Sequence, residues 1–309
     1  MSRRRADLLI VYDQEGWAYH RRALALARHA PAGLAVELAA QTEPGLGLER
    51  VRPDVVLMLN YVQAARVRHE LDRRQDDALL VTSFNTGWPR RRELLAVCGE
   101  VSDAVIVVNR ETWERAGRLP GTWPIAHGVD LDRFRVLRPP AARRPRVLWS
   151  GSVYHRELKG YDELLVPLAR RLEREGIETS LLLVDSSRPA ERRSCEEMVR
   201  WYNGGTVYVC ASSVEGTPNP VFEAAACGCV VVSTPVGSVP ELVVSGSNGL
   251  LVERDLDALH AGVREALRRY PELVRASLAS IAEWGWERRS RDYFTLIDRL
   301  RRASPTRLL

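Results

Sequence analysis

Short apolar runs alternate with longer amphipathic stretches along the chain. The runs have the length of buried strands, and the stretches between them have the spacing of helices. This alternation predicts an α/β protein in which helices cover parallel sheets. The expected strands are 8–11, 36–38, 55–59, 79–82, 104–108, 123–126, 147–149, 181–184, 207–210, 230–233 and 250–252. The expected helices are 19–29, 62–74, 90–98, 111–118, 161–175, 192–202, 220–227, 256–269, 273–283 and 289–302.

One proline-rich segment, 137–146, interrupts this alternation and predicts a linker. A chain of 309 residues also exceeds one ordinary core and suits two domains. The expected parts are a first domain over 1–137, a second over 138–288, and a C-terminal helical segment over 289–309. Helix-spaced apolar residues in the last segment could pack it back onto the first domain.

Composition is that of a soluble globular protein, with 45% hydrophobic and 28% charged residues. The net charge of +5 is only modestly basic, so it favours anionic substrates or an anionic membrane surface weakly. The arginine clusters are scattered and lack interleaved aromatic residues, which argues against nucleic acid as a partner.

The five cysteines are odd in number and predict reduced thiols rather than a disulfide framework. The apolar run near the N-terminus is too short for a signal peptide. No stretch approaches the roughly 18 apolar residues of a membrane span. These patterns predict a cytoplasmic protein, and peripheral contact with the inner membrane face stays open.

Two carboxylates, Glu215 and Glu223, stand on either side of a turn that opens into a helix. Pro218 and Pro220 exclude helix before them, because proline lacks an N–H and restricts its predecessor. Asn219 is a good N-cap, and Pro220 suits the first helical position. Glu223 is therefore expected in the first helical turn, with Glu215 on the preceding loop.

The start of this helix offers N–H groups and partial positive charge, which favour a phosphate. The two carboxylates can accept hydrogen bonds from hydroxyl groups. Together these features suit a nucleotide-sugar. The alternative is a buried strand–helix unit whose glutamates are only solvated.

This stretch resembles the retaining GT-B glycosyltransferases of family 4, whose mark is two glutamates separated by seven residues. In those proteins a small-residue helix, a glycine and a valine strand follow. The matching parts here are Glu215, Glu223, 224–228, 230–232, 233–242 and 246–252. The resemblance implies the GT-B architecture, in which two Rossmann-like domains with parallel sheets face a cleft.

A single lysine, Lys159, stands before Gly160 in a chain that otherwise uses arginine. An ammonium group is a compact point charge, so Lys159 is a candidate phosphate contact, although chance survival on a solvated helix start stays open. Family members place an arginine and a lysine here to hold the donor diphosphate. Lys159 matches that lysine, whereas Ser152 stands at the arginine position, and Arg156 is the candidate replacement.

The first domain departs further from the family pattern. Its first loop has one glycine, Gly16, which can bring backbone N–H groups close to a ligand. Trp17 could stack on a sugar or instead pack the helix onto the sheet. Many relatives carry a histidine after a middle strand, where Asn85 is the candidate here and could supply a side-chain carbonyl. The run 125–134 resembles the signature that closes the first domain, with His127 where asparagine is usual.

The resemblance implies transfer of a sugar from a nucleotide-diphosphate sugar to a hydroxyl acceptor, with retention of configuration. The candidate catalytic residues are Glu215, Lys159 and Arg156. The candidate donor-binding residues are Gly151, Ser152, Gly216, Thr217, Asn219, Pro220, Val221, Phe222 and Glu223. Glu223 would hold the ribose hydroxyls and Glu215 the sugar hydroxyls. Ser186 or Ser187 stands where relatives have a turn under the base.

No cofactor is expected, and neither an Asp-x-Asp motif nor a His/Cys spacing suggests a metal. A Rossmann dehydrogenase is disfavoured, because no Gly-x-Gly-x-x-Gly follows a strand. Two alternatives stay open. One is a GT-B epimerase or phosphorylase relative, and the other is a protein that binds nucleotide-sugars without turning them over.

Overall fold

The computed structural model describes residues 3–86, 92–185, 188 and 193–303. The chain divides into two compact units. Unit 1 comprises Met1–Gly128 and Trp286–Leu309, and unit 2 comprises Val129–Gly285. The division therefore comes earlier at both boundaries than the expected domain limits of 137/138 and 288/289.

The segment after residue 128 belongs to unit 2 because its polar groups bond there. The N–H of Val129 donates to the carbonyl of Trp284 at 2.9 Å. The side-chain carbonyl of Asn203 accepts from the N–H of Leu137 at 2.7 Å. The buried guanidinium of Arg143 also donates to Asn203, at 2.9 Å. The prolines thus mark a break in secondary structure and not the boundary between units.

Unit 1 is built on a six-stranded sheet in the order β2-β1-β3-β4-β5-β6, and all its pairs are parallel. The strands are β1 (Arg4–Tyr12), β2 (Val36–Ala40), β3 (Val51–Met58), β4 (Leu79–Phe84), β5 (Ala104–Val107) and β6 (Thr122–Pro124). The helices are α1 (Ala18–Arg28), α2 (Ala64–Arg73), α3 (Arg92–Val101), α4 (Arg110–Arg115) and α11 (Trp286–Ala303).

Side chains of β1 alternate between two cores, as expected for a strand that is buried on both faces. Leu8 and Ile10 join a cluster with residues of α1 and α11. Leu9 and Val11 join a cluster on the opposite face with residues of α2. Burial on both faces explains why the strand sequence is continuously apolar.

Unit 2 is built on a five-stranded parallel sheet in the order β11-β10-β9-β7-β8. The strands are β7 (Arg146–Ser152), β8 (Glu178–Val184), β9 (Val207–Cys210), β10 (Val230–Ser233) and β11 (Gly249–Leu251). The helices are α5 (Val166–Arg174), α6 (Cys195–Asn203), α7 (Asn219–Ala226), α8 (Val239–Leu242), α9 (Leu256–Arg268) and α10 (Tyr270–Ala282). The predicted fold class, two Rossmann-like units of the GT-B type, is confirmed.

Some boundaries differ from the predicted ones for local reasons. The helix expected over 161–175 opens with a π-helical turn, because the N–H groups of Leu164 and Leu165 both donate to the carbonyl of Gly160 at 3.0 Å. The helix expected from residue 273 begins at Tyr270, since a proline at its start needs no N–H partner. The short α8 was not expected.

Ser186 and Ser187 lie outside the described residues, as do the first residues of the helices expected over 90–98 and 192–202 and the end of the segment expected over 289–309. Across the described ranges, none of the helices is both long enough and apolar enough to traverse a lipid bilayer.

Candidate functional site

The candidate residues of unit 2 gather at the carboxyl edge of its sheet. Lys159 lies on the segment that follows β7, and Glu215 lies on the segment that follows β9. These two strands are neighbours in the sheet and run parallel, so their carboxyl ends lie side by side. This edge is where open α/β sheets bind ligands.

Lys159 and Glu215 form a half-buried ion pair, with 2.6 Å between Nζ and Oε1. Their side chains are 19% and 13% exposed. Burial opposes the charge of the ammonium, but the attraction and hydrogen bond of Glu215 outweigh it and raise the pKa of Lys159. The lysine is therefore protonated across the neutral range.

One oxygen of Glu215 is already committed. Oε1 accepts from both Lys159 and the hydroxyl of Ser212, which lies 2.8 Å away. Oε2 has no hydrogen-bond partner within the described part of the chain. The pair can therefore offer a fixed cation and one unengaged carboxylate oxygen to a ligand.

The segments carrying the pair are tied together by backbone contacts. The N–H of Ser213 donates to the carbonyl of Leu158 at 2.8 Å. Gly160 adopts a left-handed conformation with φ of 66°, which only glycine adopts readily. Lys159 is thus held at the end of a sharply turned segment.

Two further glycines fit closely against the pair, and sequence reasoning missed the role of one of them. A Cβ on Gly151 would lie 2.9 Å from the Cδ of Lys159 and closer still to Trp149. A Cβ on Gly237 would lie 2.2 Å from the carbonyl oxygen of Gly216. Gly237 is recognisable in sequence as part of the matching string, but its contact is visible only in the structure.

Helix α7 begins one residue earlier than expected. Pro218 occupies the N-cap position, and its carbonyl accepts from the N–H of Val221 at 2.9 Å. The prediction that Asn219 caps the helix is therefore wrong, because the turn has already closed on Pro218. Since Pro220 has no N–H, at most Asn219 and Phe222 keep a first-turn N–H for an anion.

Glu223 is half-buried in this helix and is held by a residue that the sequence did not single out. Its Oε2 accepts from the hydroxyl of Tyr202 at 2.9 Å. Burial, and then the carboxylate of Glu223, raise the pKa of Tyr202 well above its ordinary value. The phenol therefore stays protonated and acts as a donor. No sequence motif marks Tyr202.

Val221 and Phe222, predicted to contact the donor, have buried side chains. Phe222 packs against Trp284, with 4.8 Å between ring centroids. These two residues could therefore meet a ligand only through their backbone. Gly216 and Thr217 lie half-buried on the loop that links Glu215 to α7.

Arg156 does not join the Lys159–Glu215 pair in this structure. The ε nitrogen and one terminal nitrogen of its guanidinium donate to the carboxylate of Asp162, and the group lies over the ring of Tyr161 at 5.0 Å. Ser152 turns its hydroxyl to the N–H of Tyr154 at 3.3 Å. A role for Arg156 at the diphosphate stays a prediction.

In unit 1, Gly16 is exposed with φ of 76°, and its N–H donates to Nδ1 of His20 at 2.9 Å. Trp17 is half-buried and precedes the first residue of α1. Both residues lie at the carboxyl edge of the unit 1 sheet, after β1. Their proposed contacts with a ligand stay predictions.

The amide of Asn85 is bonded on both sides within unit 1. Its carbonyl accepts from Arg22 and from the Ser83 hydroxyl, each at 2.8 Å. Its nitrogen donates to the carbonyl of Leu59. The side-chain carbonyl that we expected to serve a sugar is therefore engaged by the protein itself.

Two parallel-sheet units, with a lysine–glutamate pair at the carboxyl edge of one of them, define a GT-B type protein. Residues 144–269, which lie within unit 2, match the family model described as "Glycosyl transferases group 1". This segment is similar to the group 1 glycosyltransferase family, as its motifs predicted.

Sequence relatives cover only part of the chain. A D-inositol 3-phosphate glycosyltransferase of Frankia alni is 28% identical over 207 residues, which is 54% of this chain and 50% of that protein. The O-antigen chain mannosyltransferase B of Escherichia coli is 32% identical over 138 residues, or 42% of this chain and 33% of that protein. The chain thus spans half or less of the length of these curated relatives.

Solved structures share the fold over nearly the whole chain. A sucrose-phosphate synthase from Thermosynechococcus elongatus superimposes with a TM-score of 0.75 at 18% identity, covering 98% of this chain and 100% of that one. Anabaena Alr3699/HepE in complex with UDP and glucose gives 0.70 at 12% identity, covering 96% and 99%. At this identity the likeness concerns the fold.

Proposed function

We propose that this protein is a glycosyltransferase that moves a sugar from a nucleotide-diphosphate sugar to a hydroxyl acceptor, with retention of anomeric configuration. The observation that carries the proposal is the Lys159–Glu215 pair at 2.6 Å, placed on neighbouring strand ends within the family segment. The relatives are named as transferases, and HepE was solved with UDP-glucose. These names support the donor class and do not identify the donor.

In this proposal Lys159 stabilises the leaving diphosphate. Negative charge develops on the leaving group, and a preoriented cation in a half-buried site stabilises it without reorganisation. A diphosphate would share the ammonium, whose acceptor among the described residues is Glu215. Oε2 of Glu215 would then orient a sugar hydroxyl, since positioning contributes as much as charge.

Glu223 would bind the ribose hydroxyls, and Tyr202 would orient its carboxylate. The bond from the Tyr202 hydroxyl to Oε2 would fix the orientation of this carboxylate. A buried phenol that cannot ionise at neutral pH is a dependable donor for this purpose.

We assign no carboxylate nucleophile. Retaining glycosidases attack with one carboxylate placed about 5 Å from a second acid. Here Glu215 is engaged by Lys159 and Ser212, and Glu223 by Tyr202. We propose instead that attack and departure occur on the same face of the sugar.

A panel of UDP-, GDP-, ADP- and dTDP-sugars, with release of nucleoside diphosphate as the readout, tests this function. Glu215→Gln and Lys159→Met should each lower release at least 100-fold, because each removes half of the pair. Glu175→Gln is the matched control. Its carboxylate belongs to an exposed ion pair with Arg264 in the same unit.

Release that survives both site variants would reject the assignment of the site. The stereochemical part needs a product: an anomer inverted relative to the donor, seen by NMR, would reject retention.

A second candidate is a protein that binds nucleotide-sugars without turnover. Two observations favour it: a serine stands at position 152, where the family arginine is expected, and the guanidinium of Arg156 is bonded to Asp162. Tight binding of one donor in titration calorimetry, with no release and no transfer across an acceptor panel, would favour this candidate.

A further inference from the structure

A buried arginine in unit 1 has only neutral partners. Arg22, on α1, is 4% exposed. Its two terminal nitrogens donate to Asn85 and Ser83 at 2.8 Å and to the Tyr293 hydroxyl at 2.6 Å. The first of these nitrogens also lies 2.6 Å from Nε2 of His127. Among the described residues no carboxylate balances this charge, which makes its burial costly.

The contact with Arg22 determines where His127 carries its proton. Nε2 of His127 lies 2.6 Å from the guanidinium, which can only donate, and 3.2 Å from the side-chain oxygen of Asn85, which can only accept. We assign the shorter contact as the hydrogen bond, so Nε2 is the unprotonated, accepting nitrogen. The ring is then neutral with its proton on Nδ1. Burial, and then the neighbouring charge of Arg22, hold the pKa of His127 well below its usual range.

Nδ1 of His127 has no hydrogen-bond partner among the residues that the structure describes. The Nδ1–H of His127 is a candidate contact for a ligand because of its place in the sheet. His127 follows β6, Asn85 follows β4, and Arg22 lies on the helix that follows β1. These are carboxyl ends of parallel strands, the edge at which α/β sheets bind ligands.

We propose that Arg22 is a positioning residue that fixes His127 as a neutral imidazole protonated on Nδ1, and that this N–H donates to an oxygen of the acceptor. The proposal rests on the proposed transferase function for its second half only. It also gives a reason for the buried arginine: the fixed positive charge keeps the imidazole from taking a second proton. Asn85, bonded to Arg22, holds the guanidinium in place and does not itself meet the ligand.

The tautomer is tested without any activity. Long-range proton–nitrogen correlation spectra of the full chain with labelled histidine report which ring nitrogen is protonated, and His127→Gln assigns the signal. We expect Nε2 of His127 to be bare and Nδ1 protonated, with no titration between about pH 8 and about pH 5. His20 is an internal reference of opposite tautomer, because its Nδ1 accepts from Gly16.

Replacing Arg22 should raise the pKa of His127. In Arg22→Met the pKa of His127 should rise above that of the parent chain while burial still holds it below its ordinary range. A proton on Nε2, or ordinary titration of His127 in the parent chain, would overturn the proposal. The parent spectrum decides this point even where Arg22→Met fails to fold.

The acceptor contact is tested by comparing transfer with donor hydrolysis, in which water replaces the acceptor. D-inositol 3-phosphate, glucose and mannose serve as acceptor probes. His127→Leu should lower transfer about 10-fold relative to hydrolysis, which corresponds to about 1.4 kcal/mol. His69→Leu, on an exposed helical position, is the matched control.

Each of these results tests a different part of the proposal. Equal loss of transfer and hydrolysis, or no loss of either, would reject the acceptor contact. Absence of both donor hydrolysis and transfer in the parent chain would reject the proposed function together with that contact, and the NMR result would still decide the tautomer.

Discussion

Gly237 provides the sharpest test of how the site in unit 2 is held, because its absent side chain makes room for the loop that carries Glu215. A Cβ at this position would lie 2.2 Å from the carbonyl oxygen of Gly216 and 2.8 Å from that of Glu215. Ordinary van der Waals contact begins at 3.4 Å. In Gly237→Ala, either the loop that carries Glu215 or the backbone at residue 237 must therefore move by about 1.2 Å (3.4 − 2.2). The N–H of Ser238, which donates to Gly216 at 3.0 Å, opposes independent movement of the two segments.

Two separate costs follow from the substitution. Gly237 has φ of 55°, and a left-handed conformation costs a residue with a Cβ roughly 1–2 kcal/mol. A misplacement of about 1 Å at a reacting centre can lower the rate about 100-fold. We therefore expect Gly237→Ala to lose about 100-fold in kcat/KM for donor turnover and only about 1–3 kcal/mol in the free energy of unfolding.

Gly246→Ala separates these two costs. Gly246 has φ of 80° and nothing within 4 Å of its would-be Cβ, so the control carries the backbone strain without the collision. Nucleoside diphosphate release and urea unfolding are measured on both variants. Equal activity of the two alanine variants would refute the reasoning, because it would mean that the contact with the Glu215 loop has no functional consequence.

Three further outcomes are expected. Tyr202→Phe should weaken UDP binding about 10-fold in titration calorimetry by freeing the Glu223 carboxylate. Tyr270→Phe, whose hydroxyl donates to the Gly228 carbonyl, should leave UDP binding unchanged, and equal affinities of the two variants would contradict this role. The Lys159–Glu215 pair raises the pKa of the folded lysine, so its contribution to stability is full below the ordinary lysine pKa and is lost as pH rises through the raised value; the unfolding free energies of the parent and Lys159→Met should therefore converge in strong alkali and not in acid of about pH 6. Burial raises the pKa of Cys98 to about 11 and that of Cys229 to about 12, so a thiol reagent at about pH 8 should label the half-buried Cys195 in the native chain and all five cysteines after unfolding; rapid native labelling of Cys98 would be inconsistent with its burial.

The architecture could be predicted from sequence because parallel strands buried on both faces leave continuous apolar runs. All the strands expected in unit 1 are present, and β1 shows why, since Leu8 and Leu9 face different cores and both must be apolar. The boundaries of the two units were harder to predict from the sequence. The prolines near residue 140 predicted a linker, whereas the segment from Val129 onward is tied to unit 2 by bonds to Trp284 and Asn203, neither of which has a local signal.

The residues of the candidate site also divide into those that the sequence could predict and those that it could not. Glu215, Lys159 and the approximate start of α7 follow from local chemistry and spacing, because each depends on residues close in sequence. Tyr202 contacts a residue that is 21 positions away in the sequence, and Gly237 contacts residues that are 21 and 22 positions away. Arg22 contacts residues that are between 61 and 271 positions away. No local sequence pattern encodes contacts at such separations. The prediction that Asn85 offers a carbonyl to a sugar also failed to anticipate the buried guanidinium, which engages that oxygen.

The lone lysine shows why composition pointed to the right residue. The stem of Lys159 passes the bare Cα of Gly151, where a Cβ would come within 2.9 Å of it, so the space is narrow. Its ammonium meets a single carboxylate oxygen that it shares with Ser212. A guanidinium in the same place would bring a wider, rigid plane of five donors into this narrow space, and unmet buried donors are costly. In a chain that otherwise uses arginine, a lysine therefore stands at the position where the space does not accommodate a planar guanidinium.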